Sequence, residues 1–380
     1  MGNTLTDLMP TLYAALDVVS REMVGFVPAV AVNAAPTGAA KGENITIPVT
    51  PSTETHDITP GSNPADNGDQ EIGSVTMTIS KSKYAPVRWT GEEQLGVSNS
   101  GTYNAILAGQ FAQAMRALAN EVDADLASLY VGASRAYGTP GTTPFESSLK
   151  DVAQMRKILA DNGAPMTDLQ LVVDTAAGAN LRSLGQLTKA NEANTDDTLR
   201  RGTLLNISGF SIRESGQIVT HAAGSFTGGA LVNNGGGYSK GATTIAVDGA
   251  SSIALKAGDI VKFDGDTGHY VVAAEASATP ITLAAPGLMG AVADDATVTA
   301  LGSYTASLAF DRNAIQLIAR TPAMPQGGDS ADDVTIVTDP VSGISFQVAV
   351  YREYRRVRYE VGLAWGVKLI KPEHVAILMG

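Results

Sequence analysis

Residues 102–131, TYNAILAGQFAQAMRALANEVDADLASLYV, place Leu107, Phe111, Met115, Leu118, Val122, Leu126 and Leu129 three or four positions apart. Apolar side chains at that spacing line one face of an α-helix. More than six turns make a rod about 40 Å long. Few single-domain enzymes need so long a rod at this position, so it reads as a spine laid along other elements. Glu121, Asp123 and Asp125 sit off the stripe as an acidic cluster.

The surrounding sequence changes texture several times. Residues 5–24 predict a helix through Leu8, Leu12, Leu16 and Val19, followed by a Pro- and Gly-punctuated arm. Such a helix and arm suit docking onto something outside their own core. NITIPVT (44–50) and IGSVTMTISKSKYAPVRWT (72–90) flank the polar, acidic stretch 51–71, which predicts a long hairpin with a self-unstable tip. A second amphipathic helix covers 147–161, with Asn162-Gly163 as its stop. LQLVVD then predicts a short buried strand, and a helix begins near Thr175. Residues 189–203 read as a polar loop. From 228 to 303, short β segments separated by turn residues predict a small inserted barrel or sandwich whose ends lie close together. After it, Val357, Tyr359, Val361, Leu363, Trp365, Val367 and Leu369 alternate with polar or small residues as one long strand. At 380 residues the chain exceeds what one core usually serves, which gives an α+β fold of two or three domains.

Little in this sequence can do chemistry. No cysteine means no disulfide, thiol nucleophile or cysteine metal site. His56, His221, His269 and His374 lie in four separate segments without metal-ligand spacing, and read as surface or strand-end residues. DGDTGH (264–269) resembles a calcium loop but lacks its distal glutamate, so it reads as a hairpin turn. GGGYSKG (235–241) does not match the phosphate-loop spacing and reads as a connector. No catalytic, cofactor-binding or metal residues emerge. A formal net charge of -12 opposes bulk nucleic-acid binding. No stretch reaches the roughly 18 apolar residues of a membrane span.

Against that acidic background, Arg352, Arg355, Arg356 and Arg358 crowd into seven residues. By strand alternation Arg356 and Arg358 share a face and Arg355 points the other way, while Tyr351, Tyr359 and Trp365 have the opposite parity. Guanidinium forks without aromatics beside them favour carboxylate pairing across a seam between domains or subunits. Partners would come from the hairpin tip or the Glu121–Asp125 cluster. A solvated face and a nucleic-acid groove are the alternatives.

The order of these parts resembles the major capsid proteins of tailed bacteriophages, in the branch with an inserted β domain. The resemblance covers nearly the whole chain and rests on the N-terminal helix and arm, the hairpin, AMRALANEVDADLASLYVG, the inserted barrel, LAFDRNAIQLIARTPAMP and the closing YEVGLAWGVKLIKPEHVAILMG. It implies a Hong Kong 97-like fold: N-terminal helix and arm 1–40, extended E-loop 41–95, peripheral domain 96–164, axial domain 165–227 and 304–343, inserted barrel 228–303, and peripheral strands 344–380. It implies no enzyme and no cofactor, but subunits forming hexamers and pentamers around double-stranded DNA in the virion. Its partners would be a separate scaffolding protein, a portal protein and, left open, a decoration protein. Arg352, Arg355, Arg356, Arg358, Asp57, Asp66, Asp69, Glu71, Lys81 and Lys83 become the expected intersubunit contacts. Some relatives crosslink an E-loop lysine to a neighbour's asparagine, which also needs a buried acid that the sequence does not locate. An encapsulin-like nanocompartment shell and a tail or glycan-binding protein are the other readings.

Overall fold

The rod forms. In the computed structural model, which describes residues 10–16, 25–49, 60, 73–98, 103–188, 206–339 and 342–380, the long helix runs over Tyr103–Ala127. It then tightens into a 3-10 turn at Ser128–Gly132. Leu107, Phe111, Met115, Leu118, Val122 and Leu126 are buried, while Leu129, past the helix end, is only partly so.

This helix packs on a six-stranded sheet whose central member is the closing strand, Arg356–Leu369. Its first half pairs with Lys81–Thr90 on one side and Ser345–Glu353 on the other, and Asp333–Thr338 lies beyond the latter. Its second half pairs with Ile315–Pro322, which takes the arm strand Ala31–Ala39 in parallel. The predicted alternation shows as a buried face of Tyr359, Val361, Leu363 and Trp365. Phe111 of the helix meets Tyr359 edge-on at 5.4 Å between ring centroids. Trp365 Nε1 donates to Asp125 Oδ2 at 2.9 Å, so its one polar atom is satisfied although the residue is buried. A Cβ at Gly366 would lie 2.3 Å from the carbonyl oxygen of Thr78; only glycine lets the hairpin base approach the sheet this closely.

A twelve-stranded sheet carries most of the rest, beside three two-stranded sheets among the described residues. It steps from Phe210–Glu214 through Leu169–Val173, Tyr304–Asp311, Val375–Met379 and Arg135–Gly138 to His269–Val271, Ile260–Phe263 and Thr297–Ala300. The LQLVV strand is buried throughout, and Asp174 caps the following helix, Thr175–Ser183, by accepting from the Ala176 and Ala177 amides. Lys150–Asp161 forms the second amphipathic helix and stops at Asn162, with Gly163 at φ 77°.

The segment around 230–298 has its own apolar cluster, including Val232, Ile245, Phe263, Val272, Leu288 and Val298. Its entry and exit run side by side, with Ala230 opposite Val298 and His221 opposite Tyr304. Nor does it hang from a flexible connector. Tyr270 pairs with Arg135 and His269 with Ala136, so the ladder continues into the body. At the root, His221 Nε2 lies 2.7 Å from Asp259 and Nδ1 lies 2.8 Å from the Tyr130 hydroxyl at the end of the long helix. Asp259 also accepts from the Gly224 and Lys256 amides.

Two expectations change here. The N-terminal helix and arm do not look outside for a core: Leu12 and Leu16 are buried in this chain's main core, and the arm pairs with its own sheet. Leu8 and Val19 lie outside the described residues. His221 and His374 are buried rather than superficial, although each stands at a strand end, His221 closing Thr220–His221 and His374 directly preceding Val375–Met379; His56 lies outside the described residues. The DGDTGH stretch is the turn expected of it, joining two antiparallel strands, with Asp266 accepting from the Gly268 amide and the Tyr270 hydroxyl. No described helix is long and apolar enough to cross a membrane.

Candidate interaction surface

The arginine run forms the tip of a hairpin. Ser345–Glu353 and Arg356–Leu369 are joined by only Tyr354 and Arg355, with Glu353 opposite Arg356. Two-residue turns of this kind favour Asn and Gly, which reach positive φ cheaply. Here Arg355 takes φ 55°, a conformation that costs an ordinary side chain on the order of 1 kcal/mol or more. Tyr354 is 90% exposed and the Arg355 guanidinium stacks near its ring. A large aromatic and an arginine thus stand in solvent at a strained turn.

The turn resets the predicted parity. Tyr351 lies directly opposite Arg358, hence on the same face, and the Arg358 guanidinium sits 4.8 Å from the Tyr351 ring centroid. Arg355 belongs to the turn and to neither strand face. Within the single chain these arginines meet nearby carboxylates. Arg356 bonds Glu353, Arg358 lies 3.0 Å from Glu360 and 3.4 Å from Glu353, and Arg352 approaches Asp332 at 3.8 Å. These are cross-strand and neighbouring pairs, which exposed hairpins form at little energetic gain. A surface groove of about 670 Å³ runs between this tip and the start of the helix Gly91–Ser98, past Glu92 and Gln94.

The Glu121–Asp125 cluster is occupied by lysines. Lys81 Nζ lies 3.1 Å from Glu121 and 2.8 Å from Asp125, and Lys83 also bonds Glu121. Lys81 and Lys83, expected between subunits, are therefore engaged by the long helix of their own chain. The Asp125 hydrogen bond, opposed by burial and helped by Glu121, raises the Lys81 pKa. Burial works against the charge of Glu121, but the Lys83 and Lys81 hydrogen bonds outweigh it and hold its carboxyl below the usual range. A lysine kept protonated in this way is a poor nucleophile for crosslinking.

Among the described residues the other hairpin, Asn44–Val49 with Gly73–Thr78, pairs only with itself. At its base Met77 and Ile79 are buried in a small cluster with Ala39, Ile318 and Ala364. Towards the far end Ile47 and Val75 are half-buried and their neighbours exposed. Asp57, Asp66, Asp69 and Glu71 lie outside the described residues.

Sequence reasoning missed Asp123. It is 9% exposed, accepts from the Phe26 amide at 2.6 Å and the Val27 amide at 3.2 Å, and is bonded by the Ser215 hydroxyl. The signal was the buried set Ala112, Ala119, Asp123 and Ala127, which widens the apolar face beside the main stripe. Among the described residues no group of His, Asp and Glu is placed to hold a metal ion.

No protein-family model matches the chain, and a comparison with curated proteins finds no match. Solved structures do resemble it. A structure from Mycobacterium phage Che8 shares 15% identity over 90% of this chain and 85% of that one, at TM-score 0.44. The capsid of the cyanophage P-SCSP1u shares 11% over 94% and 88%, at 0.47. The virus-like particle from Pyrococcus furiosus shares 10% over 97% and 98%, at 0.46.

Proposed function

We propose that this chain is the major capsid protein of a tailed bacteriophage, acting by assembly without catalysing a reaction. Copies would form hexamers and pentamers and close an icosahedral shell around double-stranded DNA, with the protein located in the virion. One observation carries the reading: the order and pairing of the parts. A self-paired hairpin stands beyond the main sheet, a long helix lies across that sheet, a β unit is inserted with adjoining ends, and the return strands finish in an exposed Tyr-Arg tip. That is the order which the resemblance implied for the extended loop, spine, insertion and peripheral strands.

The energetics fit the same reading. A two-stranded hairpin is marginal alone in water, so this one gains most from a neighbour. The tip displays the residue types that anchor interfaces, Tyr and Arg, in solvent. In this reading Arg352, Arg355, Arg356 and Arg358 meet carboxylates of an adjacent copy, and the stretch 51–71 supplies Asp57, Asp66, Asp69 and Glu71 to a neighbour. The residues 228–303 act as a separate domain. A separate scaffolding protein guides closure, a portal occupies one vertex, and a decoration protein is a further candidate partner. The net charge of -12 limits adhesion to packaged DNA, which enters with its counterions.

Negative-stain electron microscopy of the chain, alone and coexpressed with its neighbouring genes, tests the proposal. Closed shells of uniform size are expected, and DNA-filled heads from infected cells would set a virus apart from a nanocompartment. A chain that stays monomeric under every condition, or that forms fibres, would overturn it.

A further inference from the structure

Three separate parts of the chain meet through buried polar atoms at the root of the inserted segment. Tyr130 comes from the 3-10 turn that ends the long helix, His221 from the strand leading into the segment, and Asp259 from the segment itself. The Asp259 carboxylate accepts from the Gly224 and Lys256 amides and from His221 Nε2, 2.7 Å away. With that proton on Nε2, Nδ1 of the neutral ring accepts from the Tyr130 hydroxyl at 2.8 Å. The carboxylate thus sets the tautomer, and the tautomer aims the hydroxyl. Tyr304, on the strand that leaves the segment, lies 5.1 Å from His221 between ring centroids and donates to the Gly258 carbonyl at 2.6 Å.

The backbone is seated tightly here. Gly258 has φ 92°, and a Cβ on it would lie 3.2 Å from the Tyr130 ring and from Val131. A Cβ at Gly224 would lie 2.0 Å from the Ala254 carbonyl oxygen. The segment's own apolar cluster is built from other residues, among them Val261, Phe263, Tyr270 and Val272. Ile260, Val271 and Ala284 instead join Tyr130 and Tyr304 in the main core. That apolar contact holds the segment against the body, but apolar burial is non-directional and sets no angle. Hydrogen bonds do set one. The ladder of Tyr270 with Arg135 and His269 with Ala136 gives one directional line, about which a unit can still turn. The chain from Tyr130 through His221 to Asp259 gives a second, and two lines fix the orientation.

We infer that the Tyr130–His221–Asp259 chain is an orienting lock: it fixes the angle between the inserted segment and the long helix, while the fold of the segment rests on its own apolar cluster. Tyr130 and His221 are positioning residues in this device. Through them a shift at the end of the long helix is carried into the segment as a rigid-body rotation. The inference concerns the single chain and stands apart from the assembly reading.

The chain contains no cysteine, so a spin label can be placed on each side without removing any native thiol. Ala117→Cys on the long helix and Ser277→Cys on the segment are both exposed positions. Pulsed electron paramagnetic resonance of the unassembled full chain then reads the distance distribution between the labels, and hydrogen exchange reads the strand Ile260–Phe263. Tyr130→Phe removes one hydroxyl and keeps the ring. His221→Gln keeps a donor for Asp259 and loses the ring nitrogen that accepts from Tyr130. Each variant should widen the distribution about twofold, and the two together should widen it no further, because the same chain is already broken. Protection of the Ile260–Phe263 amides should stay within about threefold of wild type. A distribution unchanged in both variants would overturn the lock. So would protection lost in step with the widening, since the network would then belong to the fold of the segment and not to its orientation.

Discussion

The molecule contains two long hairpins built on opposite terms. The one made by Ser345–Glu353 and Arg356–Leu369 lies inside a six-stranded sheet, with Tyr359, Val361, Leu363 and Trp365 buried and the long helix above them. The one made by Asn44–Val49 and Gly73–Thr78 pairs, among the described residues, only with itself, and touches a small buried cluster through Met77, Ile79, Ile45 and Ile47. Both alternate apolar and polar residues, so alternation alone does not tell them apart. The difference lies in what each face meets: the first has a rod of apolar side chains over it, the second has solvent along most of its length. A strand pattern therefore records where apolar residues point and not whether the folded chain itself covers them.

The sharpest way to break the contrast is to remove the cover from the first hairpin. Trp365→Ala deletes a fully buried indole and leaves Asp125 without its indole donor. A loss of about 3–5 kcal/mol is expected, read as a lowered midpoint in urea. A loss below about 1 kcal/mol would mean the helix-to-sheet contact is not the principal core.

A smaller effect is expected at the root of the inserted segment. Asp259 is 1% exposed and accepts from His221, Gly224 and Lys256. Asp259→Ala strands several buried donors, at about 2–4 kcal/mol. Because the segment has its own apolar cluster, proteolysis should cut first at the 222–224 and 301–303 connections and release a resistant fragment. Cleavage spread evenly through 230–300 would show instead that this cluster cannot stand without its root.

These contrasts also mark what was legible in the sequence. The long helix, the LQLVV strand, the alternating closing strand and the inserted β segment follow from periodicity, because their neighbours are elements with regular faces of their own. What escaped depends on contacts between distant segments. Asp123 reads as one more surface acid until Gly25 and Ser215 arrive from 98 and 92 positions away, and His221 reads as a strand-end residue until Tyr130 and Asp259 close on it. Arginine parity failed for another reason: strand alternation cannot be carried through a turn, and the turn at Tyr354-Arg355 brings Tyr351 onto the face of Arg358. The lysine pairs escaped too: nothing in the sequence shows that Lys81 and Lys83 meet Glu121 and Asp125 of the long helix.

At the tip of the embedded hairpin, charge reversal should separate folding from association. Arg356→Glu with Arg358→Glu sets new carboxylates beside Glu353 and Glu360 on an exposed ribbon. Like charges there cost about 0.5–1 kcal/mol in the single chain. The denaturation midpoint should barely move, while electron microscopy shows no closed shells. Normal particles from the double variant would remove these two arginines from the proposed seam.

The smallest effect on the single chain, and the most informative one, belongs to the self-paired hairpin. Ile47 lies opposite Val75, half-buried at the outer edge of the small cluster of Met77, Ile79, Ile318 and Ala364. Ile47→Ser should lower the stability of the unassembled chain by no more than about 1 kcal/mol, because the side chain is only half-buried there. If a neighbouring copy covers that face, the same change removes apolar burial from the interface at every subunit of a shell, and the many small losses add up. Shell yield should then fall severalfold while monomer stability holds, and the ratio of the two effects measures how much of this hairpin's burial comes from outside the chain. A loss of monomer stability equal to that of a core isoleucine, about 2–5 kcal/mol, would mean that the chain covers the hairpin itself, and the contrast between the two hairpins would disappear.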